Sequence, residues 1–222
     1  MAKSRGNGWW VVALVVAAAL VWAITRGSAH QEAGATASPT ASATTTSPSP
    51  SASATGRSQD DPALFAPEVT RYAHQAGIDP QLLMTILLNE SYKPHDPAFQ
   101  REWLQMKPTA SLGIANMHQA AYDQVRQGRS FAARPWTDLI DDPALAIEAA
   151  AWYLHDLARE LPAHHSAAYT TDELLALGYN AGAGNMRAFA EGVTPGAQSA
   201  GYLTTFRSNW PKAAADLRAT SG

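Results

Sequence analysis

An all-α domain is expected from Asp60 to the C-terminus, and three features of the sequence carry that expectation. Helix start and stop signals recur along this stretch, with Asp79-Pro80, Asp142-Pro143 and the Thr170 to Glu173 capping pattern as starts and Gly77 and Gly128 as stops. Apolar residues return at helical spacing. No alternation of β-branched residues is long enough to build a sheet. The 163 residues from Asp60 onward suffice to bury most of their apolar surface without cross-links, which agrees with a 222-residue chain that has no cysteine.

Two segments precede that domain. Residues 1–29 contain an uncharged run, Trp9 to Ile24, with Lys3 and Arg5 before it and Arg26 after it. The run is near the ~17 to 25 residues that span a bilayer and longer than the ~7 to 15 of a signal-peptide core. Trp9, Trp10 and Trp22 stand at its ends, where interfacial aromatic belts form. The cations before it outweigh Arg26, so a single-pass cell-membrane anchor is expected, with a cytoplasmic N-terminus and everything after Arg26 outside. Cleavage at Gly27-Ser28-Ala29, followed by secretion, is the alternative. Residues 30–59 are rich in Ala, Ser, Thr and Pro and hold nothing that forms a core, so a disordered linker is expected. Where extended at ~3 Å per residue, it would reach up to ~90 Å.

Within residues 60–222 the first helix is expected from about Pro67 to Ala76, stopped by Gly77. Asp79 and Pro80, a favoured N-cap and first residue, open the second, which carries the apolar run Leu82 to Leu88 and ends at Glu90-Ser91. Lys93-Pro94 and Asp96-Pro97 are expected to turn the chain into a loop, and Pro108 to Ser111 forms a further turn. A helix from about Asn116 to Gln127 follows. Asp142-Pro143 opens what should be the longest helix, with Leu145, Ala149, Trp152, Tyr153 and Leu157 facing the core. The capping box at Thr170 and Glu173 starts a helix carrying Leu174, Leu175 and Leu177, which the glycines of 178–184 are expected to stop. A helix from about Asn185 to Ala190 and a short one near Pro211 to Leu217 complete the domain.

Charge and motifs narrow the chemistry. Lys3, Arg5, Arg26 and Arg57 against Glu32 give the segment before Asp60 a net +3, so the whole-chain value of −3 leaves the domain at −6. That argues against nucleic acid as a partner and favours a neutral or weakly charged polymer such as a glycan. The seven histidines include no HExxH pair, and no metal site is expected. A GxSxG elbow is absent, and Gly182-Ala183-Gly184 lacks the third glycine and the preceding strand of a dinucleotide loop, so no cofactor is expected. Glu90 is the outstanding carboxyl. It follows Leu83, Ile86 and Leu87 on one helical face, and both burial and a helix C-terminus favour its neutral form. A protonated acid near neutral pH suits a glycosidase; a frayed helix end with the head group in solvent is the bland alternative.

In the same order, several stretches resemble one family. Glu90-Ser91 looks like the ES motif of lytic transglycosylases of the soluble, lysozyme-like (SLT) type, and Ser111 to Met117 is similar to that family's Ala/Ser-x-Gly-Leu-Met-Gln-Ile segment. Asp142-Pro143 through Tyr153-Leu154 resembles its helix ending in Tyr-Leu, Gly178 to Gly182 its Ala-Tyr-Asn-Ala-Gly motif, and Tyr202-Leu203 a closing Tyr-Val pair. Departures are Ala115 for a Met, Asn116 for the usual Gln, and Gln198-Ser199-Ala200 for Glu-Thr-Arg.

The resemblance implies a lysozyme-like helical lobe around a substrate cleft. It implies non-hydrolytic cleavage of the peptidoglycan bond between N-acetylmuramic acid and N-acetylglucosamine, with Glu90 as general acid and then base. The product would be a 1,6-anhydro sugar. Tyr179 would hydrogen-bond Glu90, unless its hydroxyl finds a backbone partner in the core. Ser91, Ser111, Asn116, Met117, Asn180 and Tyr202 would meet the substrate; Ser91 and Asn180 alternatively cap their helix ends, and Tyr202 and Met117 alternatively pack. A muramidase using Asp96, Glu102 or Asp123 to activate water, and an inactive wall-binding scaffold, are the rival functions. Glycan strands of peptidoglycan and the membrane are the expected partners, with no protein partner indicated.

Overall fold

The computed structural model describes residues 61–219, so the expected anchor in 1–29 and linker in 30–59 lie outside the described residues. No helix among those described is long and apolar enough to cross a membrane. The domain is mostly helical, with one pair of very short strands.

A 3-10 turn, Pro62–Phe65, leads into α1 (Ala66–Ala76), which ends at Gly77 as expected. The next helix, α2 (Pro80–Glu90), starts where the Asp79 side chain accepts a hydrogen bond from the Gln81 N–H at 2.7 Å. Every residue of α2 from Leu82 to Glu90 is buried, not one face alone. Such a helix runs through the core, with α1, α5 (Pro143–Glu160), α6 (Thr171–Ala181) and α8 (Ala197–Ala219) packed around it.

Four expectations are corrected. The stretch expected as a loop after Lys93 includes a helix, α3 (Pro97–Met106), whose Asp96 cap accepts from the Phe99 N–H. Its Asp-Pro start repeats those of α2 and α5, but Gln100 is its one fully buried residue, while Phe99 and Trp103 stack on the exposed side. An inward apolar stripe, the usual mark of a helix, is therefore missing from the sequence.

The second correction concerns Asn116. No helix begins there: Ser111–Leu112 (β1) pairs antiparallel with Met117–His118 (β2), and α4 (Gln119–Val125) starts after the second strand. Gly113 makes the turn with φ 72°, and a Cβ on it would lie 2.7 Å from the Leu139 carbonyl oxygen. No other residue type fits there without displacing backbone.

Third, the helix after Thr170 continues through Gly178, Tyr179 and Asn180 and breaks at Gly182, where α7 (Ala183–Ala190) begins. Gly178 serves packing instead of stopping the helix, since a Cβ there would approach the Met186 sulfur to 2.8 Å and the Leu157 methyl to 3.3 Å. Fourth, α8 is one helix of 23 residues, longer than α5 with 18, and carries Pro211 in its interior. A mid-helix proline costs about 3 kcal/mol. Tertiary contacts hold the helix beside it: Gln81 of α2 donates to the Trp210 carbonyl at 2.9 Å, Asn209 donates to Asn89 at 2.9 Å, and Leu203 and Phe206 are buried in the core. In α5, Leu145, Ala149 and Leu157 are buried as expected, and Trp152 and Tyr153 are half-buried and pack against the core.

Candidate active site

Glu90 is the last residue of α2 and only 7% exposed. Its head group does not turn to solvent. The Tyr202 hydroxyl of α8 donates to Oε1 at 3.0 Å, and the Asn116 amide donates to Oε2 at 3.1 Å and to the Glu90 backbone carbonyl at 2.7 Å. Burial raises the Glu90 pKa above the ordinary carboxyl value; the bonds from Tyr202 and Asn116 and the charge of Lys93 oppose that rise without cancelling it. The helix C-terminus adds its own negative potential at the same place.

Tyr179 does not occupy the position expected of it. Its hydroxyl donates to the Ala115 carbonyl at 2.7 Å, and its ring meets Tyr153 edge-on with centroids 5.5 Å apart. Tyr202 therefore takes the place beside Glu90 that had been expected of Tyr179. In sequence α7 separates the two tyrosines, and no local pattern says which of them reaches the acid. Burial, then the nearby Glu90 charge, pushes the phenols of Tyr179 and Tyr202 far above their usual range, so both remain neutral donors.

The other expected residues divide. Asn116 comes directly onto Glu90, from a backbone with φ 47°. Asn adopts that left-handed conformation more readily than most residues, which suits it to this position. Ser111 lies at the start of β1, half-buried, and receives a hydrogen bond from Lys93 at 2.7 Å. Ser91 is exposed, and its hydroxyl bonds the Leu88 carbonyl at 2.8 Å, closing the end of α2. Asn180 is half-buried and accepts a long bond from Ser199 at 3.4 Å. Met117 is only 2% exposed, and its carbonyl accepts the Trp136 indole N–H. Its side chain belongs to the core and has almost no surface left for a sugar.

Lys93 and Gln100 were missed. Lys93 donates to both Ser111 and Asn116, the latter at 3.2 Å; a cation three residues past the acid was its only signal. Gln100 donates to the His95 carbonyl at 2.7 Å and accepts the Gly113 N–H at 2.7 Å, so α3 holds the strand turn in place. The three carboxylates weighed as a second catalytic group are placed elsewhere. Asp96 caps α3, Asp123 pairs with Arg126 at 2.9 Å, and Glu102 is exposed on α3. No group of three or more His, Asp or Glu residues among those described is arranged to hold a metal ion.

A family model, the transglycosylase SLT domain, matches residues 68–194. No curated protein and no solved structure gives a significant match. The matched span includes Glu90, Asn116 and Tyr179 and ends before α8, so Tyr202 lies beyond it.

Proposed function

The chain belongs to the transglycosylase SLT family, whose activity is lytic transglycosylation of peptidoglycan, and on that premise we propose that Glu90 is the single acid and base of the reaction. The observation that carries the proposal is the Glu90 carboxyl itself: buried, raised in pKa, and bonded by two neutral donors with no second carboxyl among its partners. Two-carboxylate glycosidases hold the pair roughly 5 to 10 Å apart.

In the proposed reaction, protonated Glu90 gives its proton to the glycosidic oxygen between N-acetylmuramic acid and N-acetylglucosamine. The C1–O bond breaks with its electron pair on the leaving oxygen. Glu90, now a carboxylate, takes the proton of the muramic acid C6 hydroxyl, whose oxygen closes on C1. Water and an enzyme nucleophile are both unnecessary. Tyr202 and Asn116 occupy two of the roughly four lone-pair directions of the carboxyl, which leaves directions open for the transferred proton. Their bonds strengthen toward the anion left after the first transfer. Tyr179 acts at one remove by bracing the Ala115 carbonyl, which precedes Asn116. Ser91 and Asn180 are the remaining candidates for sugar contact. The segments 1–29 and 30–59 would anchor the enzyme and let it reach the wall, and flotation of the full chain with membranes tests that part.

Digestion of purified peptidoglycan followed by mass spectrometry tests the chemistry. The expected products are 1,6-anhydro-muropeptides, lost in Glu90→Gln. Reducing ends in their place would mean hydrolysis. Wall binding with no soluble product from the parent protein would mean a scaffold.

A further inference from the structure

Lys93 stands in the loop that leaves α2, three residues past Glu90, and is half-buried. Its ammonium bonds Ser111 Oγ at 2.7 Å and Asn116 Oδ1 at 3.2 Å. An ammonium has donors and no acceptor, so the end of the Asn116 amide that faces it must be the carbonyl oxygen. The NH2 end is then turned toward Glu90, where it meets the backbone carbonyl at 2.7 Å and Oε2 at 3.1 Å. Both ends of this amide are thus assigned by their neighbours. Without the cation the Glu90 backbone carbonyl alone holds the NH2 end, and the Asn116 oxygen loses the partner that anchors the far side of the amide.

We infer that Lys93 is a positioning residue for the acid: with the Glu90 backbone carbonyl at the other end, it anchors the Asn116 amide so that the NH2 stays on Oε2 of Glu90. This rests on the reading of Glu90 as general acid and base. The relay supports the carboxylate form, against burial and the helix terminus, which support the neutral form. Its function is therefore to set where on the pH scale Glu90 changes from donor to acceptor. Around the pair stand the phenols of Tyr202, Tyr179 and Tyr92, each raised in pKa and neutral, with Lys107 acting on Lys93 and Lys93 acting in turn on His118. Burial lowers the pKa of His118. The Lys93 ammonium is the one cation among the causes that act on Glu90.

The test follows the Glu90 carboxyl signal by 13C NMR against pH in the full-length chain, with the signal assigned by its loss in Glu90→Gln. Lys93→Met is expected to raise the Glu90 pKa by about 0.5 to 1, and Asn116→Ala by a comparable amount. In the Asn116→Ala background, Lys93→Met should add less than about half of what it adds to the parent. The alkaline limb of peptidoglycan cleavage should move up with it. A Glu90 pKa unmoved by Lys93→Met overturns the inference. So does an equal change in both backgrounds, which would mean the charge acts through space without the amide. Should the Met variant fail to fold, Lys93→Gln removes the charge and takes its place in the same cycle. Because the titration needs no turnover, an active Glu90→Gln would overturn the catalytic reading and still leave the positioning of Glu90 by Lys93 to be decided.

Discussion

Glu90 and Glu173 each send a carboxyl to α8, the first from the C-terminal end of α2 and the second from the opening turn of α6. Burial is the largest influence on both, and it raises both. The outcomes are nevertheless opposite. Glu173 receives the Arg207 guanidinium at 2.6 Å and the Thr170 N–H at 2.9 Å, and these with the Arg207 charge bring its pKa below the ordinary value. Glu90 lies deeper and receives a phenol and an amide, both neutral, so its pKa stays raised. Glu173 also sits at the positive end of its helix and Glu90 at the negative end of its own. The charge of the donor and the polarity of the helix end, as much as burial, separate a structural anion from a group able to give up a proton near neutral pH.

The largest effect that follows is on turnover. Glu90→Gln should lower the release of anhydro-muropeptides by about 10²- to 10⁴-fold, the usual weight of a general acid, while Glu173→Gln should leave it within about twofold. Comparable losses in the two variants, measured on the same wall preparation, would erase the functional half of the contrast. Next in size is the Tyr202 bond. Tyr202→Phe removes a donor that lowers the Glu90 pKa, so the protonated acid should persist to higher pH and the alkaline limb of the pH–rate profile should move up. Turnover at neutral pH should fall by about tenfold, as support for the anion is lost. An alkaline limb that stays in place or moves down would detach Tyr202 from the acid.

Smaller still is the effect on folding. Because the folded pKa of Glu90 is raised, the folded state holds a proton that the unfolded state has lost, so stability falls as pH rises from the unfolded value of about 4.3 through the folded one. A tenfold difference in proton affinity between the two states corresponds to about 1.4 kcal/mol. Glu90→Gln removes that slope. Thermal melts of parent and variant should therefore diverge as pH climbs from 4 to 8, with the variant the more stable at the upper end. Melts that stay parallel would mean that the buried carboxyl is not strained when charged.

Legibility in the sequence followed whether a signal was local. Asp79, Asp142 and the Thr170 to Glu173 box marked their helix starts because a cap is a matter of a few neighbouring residues. Glu90 was legible for the same reason, as a carboxyl at the end of an unbroken apolar helix. The helix α3 was not, since its buried residue is a glutamine that bonds backbone from both ends of its amide, and no apolar periodicity betrays it. The partners of Glu90 were not legible either. Tyr202 reaches it across 112 positions and Asn116 across 26, and the sequence reading put Tyr179 in the place that Tyr202 holds. The continuation of α8 past Pro211 was not legible either, and the hydrogen bonds beside it, Gln81 to the Trp210 carbonyl and Asn209 to Asn89, exist only once α2 and α8 lie side by side.

The smallest of these effects is the most direct check on the opposite behaviour of the two carboxyls. Glu173→Gln keeps an oxygen for the Thr170 N–H, so the capping box survives in part, and what is lost is the charge facing Arg207. Arg207 is itself 55% exposed, which screens the pair, and the cost should be only about 0.5 to 1 kcal/mol at pH 7. Its sign with pH is the reverse of that for Glu90. A folded pKa held below the unfolded value contributes stability that is present above the unfolded pKa and lost as pH falls through the folded one. Urea unfolding at pH 7 and again below pH 4 should therefore show the variant weaker than the parent only in the first case. A deficit that persists in acid would mean that Glu173 acts through the cap alone, and that donor charge does not distinguish it from Glu90.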